Sequence, residues 1–220
     1  MDQKTKEKKL LDAIVLDDLA TVREIIDNNP EFLEKIINEK SNWTSFSLAC
    51  AYKRLRIVEY LLQKNANVNH KDTRGYTPLL LAIWKNATTA PFNEDERRRI
   101  IAMILESEQL DVFATNNLQW NYLHLACMEQ DSETAMLLLQ KEPRLNNAKD
   151  FIDRLPLHEA AIKNNADVIG EMLKKDKDHP VLVADDERRI IKSPIVNAKD
   201  DQGFTALYFA CQKQHFENVK

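Results

Sequence analysis

Apolar and polar positions come in recurring blocks along this chain. A polar corner, Asn69-His70-Lys71-Asp72, Asn147-Ala148-Lys149-Asp150 or Asn197-Ala198-Lys199-Asp200, precedes an apolar run: RGYTPLLLAI, DRLPLHEAAI or QGFTALYFAC. A small alanine anchors each run, and the set is Ala13, Ala49, Ala82, Ala126, Ala160 and Ala210. Successive anchors lie 36, 33, 44, 34 and 50 residues apart, a base period of about 33 residues. The long spacings call for insertions, one near 87–96 (ATTAPFNEDE) and one near 175–194 (KDKDHPVLVADDERRIIKSP).

Eight residues past the anchors a second apolar block begins. It reads IVEYLL from Ile57, TAMLLL from Thr134 and VIGEML from Val168, and IIAMIL from Ile100 once the first insertion is removed. Three- and four-residue apolar steps predict short amphipathic helices. Neither helix of a pair is long enough to persist alone. Stacking pair on pair buries the stripes in one continuous core. The NAKD corners then read as hairpin edges between units, and the later two are 50 residues apart because one unit carries 17 extra residues.

The run Gly75-Tyr76-Thr77-Pro78-Leu79-Leu80-Leu81-Ala82 resembles the motif of the ankyrin-repeat family, and PLHEAA at 156–161 and YLHLAC at 122–127 carry other parts of it. The resemblance covers Leu10 to the end. It implies an all-α solenoid of stacked helix pairs with short β-hairpin corners. Residues 1–40 form a capping helix pair without the polar corner. Ankyrin-like repeats fill 41–220: 41–71, 72–115 with the insertion 87–96, 116–149, 150–199 with the insertion 175–194, and a truncated unit at 200–220 that reaches Asn218 and Val219 of its second helix. Thr77 can cap a first helix and Pro78 suits its first turn. The corner often needs positive φ. Gly75 and Gly203 supply it readily, Asn42 and Asp153 tolerate it, and Gln119 is a poor choice. With Asn121-Tyr122 in place of Thr-Pro, the fourth corner departs furthest from the motif.

Composition narrows the chemistry. Acidic and basic residues nearly balance, at a formal net charge of −4 over 220 residues, so nothing draws the chain to nucleic acid or an anionic membrane. No apolar run approaches a membrane span, and the N-terminus lacks a signal-peptide core. Cys50, Cys127 and Cys211 each follow an anchor alanine and read as small core residues, which suits a reducing, intracellular setting. His124 and His158 fall at the family's histidine position, where the ring ties a hairpin to its helix. His70, His179 and His215 form no ligand spacing. There is no CxxC, HExxH, GxSxG or P-loop, so no cofactor, metal or catalytic group is expected. DERRR at 95–99 and DERR at 186–189 read as solvated charge, or as paired docking patches.

In the family the corners and the exposed first-helix positions line a concave surface that grips partners. The residue after the corner glycine position is Trp43, Tyr76, Trp120, Arg154 and Phe204; the first-helix positions hold Tyr52, Trp84, Lys85, Met128, Glu129, Ile162 and Lys163. Phe151 and Ile152 take corner positions that are usually polar. A ring here either seals the corner against its neighbour or anchors a partner. Rigid aromatics bury much area for little lost entropy, and an exposed row of them is otherwise an aggregation liability. The expected site is Trp43, Tyr52, Tyr76, Trp84, Lys85, Trp120, Met128, Arg154, Ile162, Lys163 and Phe204. Lys85, Arg154 and Lys163 would favour a partner with acidic groups. The expected function is a monomeric protein–protein interaction module, binding no nucleic acid or membrane. Two alternatives stand beside it: the targeting part of a larger enzyme or effector whose catalytic part lies beyond Lys220, and a self-associating scaffold. Degenerate Lys/Asn/Ile-rich repeats with insertions also resemble ankyrin effectors that intracellular bacteria deliver into host cells, which implies a cytosolic location, the host's in that case.

Overall fold

A computed structural model describes residues 2–178, 181–184, 190–193 and 195–213 of the chain. The DERR stretch at 186–189, His179, His215, Asn218 and Val219 lie outside the described residues. The chain divides into two compact units, Met1–Asn117 and Leu118–Lys220.

Unit 1 is built from helix pairs. Helices α1 (Gln3–Val15) and α2 (Leu19–Asn28) form the first pair, α3 (Ser45–Tyr52) and α4 (Leu55–Gln63) the second, α5 (Pro78–Ile83) and α6 (Glu94–Leu105) the third. First helices pack on first helices, α1 on α3 and α3 on α5, and second on second, α2 on α4 and α4 on α6. The anchors Ala49 and Ala82 have no exposed surface, because a small side chain is what lets neighbouring first helices approach. Strands β1 (Ile36–Asn38) and β2 (Trp43–Thr44) pair antiparallel with Ile36 opposite Thr44 and Asn38 opposite Trp43. This is the hairpin corner between the first two pairs.

Unit 2 repeats the plan. Helices α7 (Tyr122–Met128) and α8 (Ser132–Lys141) are followed by α9 (Pro156–Ile162) and α10 (Ala166–Asp178), then α11 (Ala206–Gln212). Helix α7 packs on α9, α9 on α11, and α8 on α10. The second insertion adds an antiparallel pair, β3 (Val181–Ala184) with β4 (Ile190–Ser193), in which Val181 faces Ser193 and Ala184 faces Ile190. Helix α10 itself runs four residues into the segment expected to be inserted, ending at Asp178.

Caps explain where helices begin. Thr44, Thr77 and Thr205 accept the first-turn amides of Ser47, Leu80 and Tyr208, three residues on, and Pro78 opens α5, where no amide donor is required. Asn121 serves α7 as well as threonine serves the others. Its side chain accepts the His124 amide at 2.9 Å, while His124 Nδ1 accepts the Asn121 amide at 3.3 Å, a reciprocal capping box. Aspartates cap second helices, with Asp18 taking the Thr21 amide and Asp131 the Thr134 amide.

All five corners use positive φ: Asn42 57°, Gly75 78°, Gln119 58°, Asp153 61° and Gly203 83°. Gln119 takes the conformation despite its side chain. A second positive-φ position turns the chain from first to second helix, at Asp17, Lys53, Gln130 and Asn164. The sequence reading did not foresee this one, since no glycine marks it. The two corner glycines differ in surroundings. A Cβ on Gly75 would lie 2.8 Å from the Asn117 amide nitrogen and 3.0 Å from the Asn116 carbonyl carbon, whereas no atom of the described residues comes within 4 Å of a Cβ on Gly203. Gly203→Ala should therefore cost about 1 kcal/mol, the left-handed strain alone. Gly75→Ala should cost roughly 3 kcal/mol, because backbone must also move. Urea unfolding of the two variants checks the order.

Candidate functional site: a partner-binding surface at the corners

Three of the five corners are organised by the aspartate that ends the NxKD signature, Asp72, Asp150 and Asp200. In unit 1 Asp72 Oδ1 accepts the amides of Arg74 and Tyr76, both at 2.8 Å, and the Asp72 amide donates to the Tyr76 carbonyl at 2.9 Å. In unit 2 Asp150 does the same with Ile152 and Arg154, and Asp200 with Gln202 and Phe204. The carboxylates are buried. A buried charge must be met by donors, and the turn supplies two of them.

The other carboxylate oxygen reaches the preceding corner. Trp43 Nε1 donates to Asp72 Oδ2 at 3.1 Å, Trp120 Nε1 to Asp150 Oδ2 at 3.2 Å, and Arg154 Nε to Asp200 Oδ2 at 3.3 Å. The residue after the positive-φ position is thus a latch onto the next repeat. Backbone adds a second tie, from the Thr73 amide to the Ser41 carbonyl, from Phe151 to Leu118, and from Asp201 to Ile152. Rings that look like a recognition row in the sequence are in part holding the stack.

The exposures correct the expectation of a uniformly exposed row. Trp43 and Tyr76 are buried, at 7% exposed each. Trp120, Arg154 and Phe204 are half-buried. Among the first-helix positions, Tyr52, Trp84, Lys85, Met128, Glu129, Ile162 and Lys163 are all half-buried. Trp84 and Lys85 are not helical: α5 ends at Ile83, and Trp84 has extended backbone at φ −66°, ψ 107°. The Trp84 ring instead lies on Tyr76, centroids 5.2 Å apart. Arg154 is not a free charge either. Besides Asp200 it reaches Glu159 at 3.6 Å, and its guanidinium lies 4.6 Å over the Phe209 ring. Phe204 stacks on Tyr208 at 4.1 Å, and Tyr208 is itself 42% exposed, as Phe151 is at 54%. The candidate residues group by unit: Trp43, Tyr52, Tyr76, Trp84 and Lys85 in unit 1, the other six in unit 2.

His124 Nε2 bonds the Arg154 carbonyl at 3.0 Å and His158 Nε2 the Ala198 carbonyl at 3.2 Å, each tying a first helix to the following corner. Cys50 and Cys127 are buried, and burial pushes both thiols up, away from reactivity. Cys211 is a correction: it is exposed on α11, whose described packing is against α9 and the 195–197 turn. DERRR is a second correction. Arg97 is fully buried, with Nη2 2.6 Å and Nε 2.9 Å from the Glu94 carboxylate and Nη1 3.5 Å from the Ile83 carbonyl. The sequence reading also missed Lys53. Buried at its left-handed turn, it donates to the carbonyls of Ala51, Leu81 and Trp84 at 2.8–2.9 Å. Among the described residues no group of three or more His, Cys, Asp or Glu could hold a metal ion, and no helix is long and apolar enough to cross a membrane.

Comparison with known proteins agrees with this geometry. Residues 10–92 and 93–182 match a family described as ankyrin repeats (3 copies), and residues 157–220 one described as ankyrin repeats (many copies). An ankyrin repeat-containing protein of Schizosaccharomyces pombe is 28% identical over 131 residues, which is 59% of this chain and 52% of that protein. Ankyrin repeat domain-containing protein 40 of Mus musculus is 28% identical over 81 residues, 37% of this chain and 22% of that protein. The matched stretches thus span about half of the first relative's length and less of the second's.

Two tests follow from the latches. Trp43→Phe keeps an aromatic ring but deletes the N–H and trims the indole, leaving a buried carboxylate oxygen short of a donor; it should cost about 1–3 kcal/mol. A double-mutant cycle with Asp72→Asn should show coupling between the two, and additive costs would mean no latch. The histidines give a pH test. Burial pushes His124 down to about 4, against the donor-favouring Arg154 carbonyl, and burial also lowers His158. The unfolded chain takes up a proton near pH 6.5 that folded His124 refuses until about pH 4. Stability from this group is full above pH 6.5 and is lost as pH falls towards 4, by about 3 kcal/mol. His124→Gln preserves a capping box, so its melting temperature should fall less steeply over that window than the wild type's.

Proposed function

We propose, for a chain that belongs to the ankyrin-repeat family, a protein-interaction module that recognises its partner through the corner and first-helix residues of its repeats. Ankyrin-repeat folds generally mediate protein–protein interaction, and the reading here assigns that role to particular residues. It takes 1–40 as a capping pair and 41–220 as the repeats. What carries it is the recurrence of a large, partly exposed apolar side chain where the first helix ends: Tyr52 on α3, Trp84 after α5, Met128 on α7 and Ile162 on α9. A core position would be buried, and a purely solvated one would be polar. Lys85 and Lys163 flank this apolar set and supply a cationic margin. Recognition uses a preformed surface and no covalent step.

Trp43, Trp120 and Arg154 take part through the corners they hold in place. Removing them tests stability as much as binding. The informative substitutions lie further out. Trp84→Ala in unit 1, and the pair Met128→Ala and Ile162→Ala in unit 2, should leave the melting temperature within a few degrees. A partner retained by the wild-type chain in a quantitative pull-down should be held at least about tenfold less well by one of these variants. Retention unchanged in both, with both folded, would count against the first-helix positions and point to the insertions.

A further inference from the structure

Resting on that reading and sharpening it, we propose that Arg74 is the residue by which unit 1 grips a carboxylate of an acidic partner segment. Arg74 precedes the corner glycine and is exposed. Its guanidinium carbon lies 4.7 Å from the Trp84 ring centroid and 5.1 Å from that of Tyr76, and the two centroids are 5.2 Å apart. Three nearly equal distances place the cation over the seam between the rings. The backbone below is pinned on both sides. The Arg74 amide donates to Asp72 Oδ1 at 2.8 Å, and the Arg74 carbonyl accepts the Asn117 amide at 3.0 Å.

This cation has a seat and no counter-ion. Several other arginines are neutralised internally, Arg97 by Glu94, Arg144 by Glu142, Arg154 by Asp200 and Glu159; Arg23 and Arg54 also lack an ion pair among the described residues, but each lies over a single ring, Tyr60 or Tyr52, and not over two. Arg74 forms no ion pair among the described residues; its side-chain contacts are the two rings. A guanidinium laid on aromatic faces keeps its planar fork of N–H donors for a ligand, and that fork matches a carboxylate in two-point geometry. Stacking also orders the side chain beforehand, so less rotamer freedom is lost on binding. The half-buried Trp84 ring beside it offers an apolar seat. The fitting occupant is a segment with Asp or Glu next to an apolar residue. A single guanidinium suits a singly charged carboxylate; phosphorylated segments are characteristically met by clusters of arginines.

The test pans a phage-displayed library of random decapeptides on the full chain and on Arg74→Gln and Arg74→Glu, with folding checked by circular dichroism. Wild type should select peptides enriched in Asp or Glu at one position beside an apolar residue. Arg74→Gln should lose that enrichment and keep the apolar preference, and Arg74→Glu should shift it towards Lys or Arg. The leading acidic peptide, labelled and titrated by fluorescence polarisation, should bind Arg74→Gln about tenfold more weakly, with Arg74→Lys falling between. Selection without acidic enrichment, or undiminished affinity in Arg74→Gln, overturns the role of Arg74 and leaves the interaction-module reading standing. A phosphoserine peptide that outcompetes the glutamate peptide tenfold overturns the carboxylate in favour of phosphate. A wild-type chain that selects nothing overturns the grip, and with a failed pull-down it removes the module reading too.

Discussion

Within each unit a buried carboxylate ties one corner to the next, Trp43 to Asp72 in unit 1, and Trp120 to Asp150 and Arg154 to Asp200 in unit 2. The corner aspartate spends one oxygen on two amides of its own turn and offers the other to the preceding repeat, as Asp72 does to Trp43 and Asp150 to Trp120. Neither half works without the other. An unpaired carboxylate in this position would be costly to bury, and a tight turn at positive φ would be strained without internal hydrogen bonds. The helices it connects are short. Helix α5 has six residues and α7 seven, lengths at which isolated helices do not form. Their stability comes from neighbours, and the corner fixes which neighbours they meet.

That constraint limits which corner residues are left for the proposed recognition surface. The position after the positive-φ residue is the one most exposed to a partner by analogy with the fold, yet here it is taken up by latching. Trp43 is sealed in, and Arg154 is shared among Asp200, Glu159 and the Phe209 ring. On the proposed reading, recognition falls outward, to first-helix ends and to side chains stacked over the corner. The early end of α5 contributes to this. With α5 stopped at Ile83, the chain extends through Trp84 and lays its ring on Tyr76. A continued helix would have aimed that side chain along the helix surface instead. Lys53 secures the break by filling three carbonyls at once, two of them Leu81 and Trp84 at the end of α5.

Local and repeated features were legible in the sequence. The period, the anchor alanines, the Thr77-Pro78 cap, the histidine ties and the positive-φ corners each depend on a few residues and recur, so errors at one copy are corrected by another. Features needing two distant segments were not. Arg97 looked like solvated charge: its partner Glu94 is local, three residues back on α6, but its burial and its contact with the Ile83 carbonyl arise only once α6 packs on α5. Cys211 shares the spacing of Cys50 and Cys127, but burial depends on what packs over a helix and not on its register. Helix α10's extension to Asp178 and the β3–β4 pair lay inside a stretch read only as extra length. The aromatic row was found by counting. Its division into latches and exposed side chains depended on where the next aspartate sits.

Fold and surface therefore answer to different constraints. The core pattern tolerates wide drift, as two family members at 28% identity over part of their lengths illustrate, because any apolar set of the right volume fills a stack of short helices. The corner tolerates much less, since its carboxylate must be satisfied from both sides. Arg74 sits between these regimes. Its backbone belongs to the corner and is fixed by Asp72 and Asn117, while its side chain lies over the Tyr76 and Trp84 rings. Rigid backbone, an ordered side chain and an unneutralised charge are separate conditions for selective recognition, and this is where the structure of unit 1 combines them.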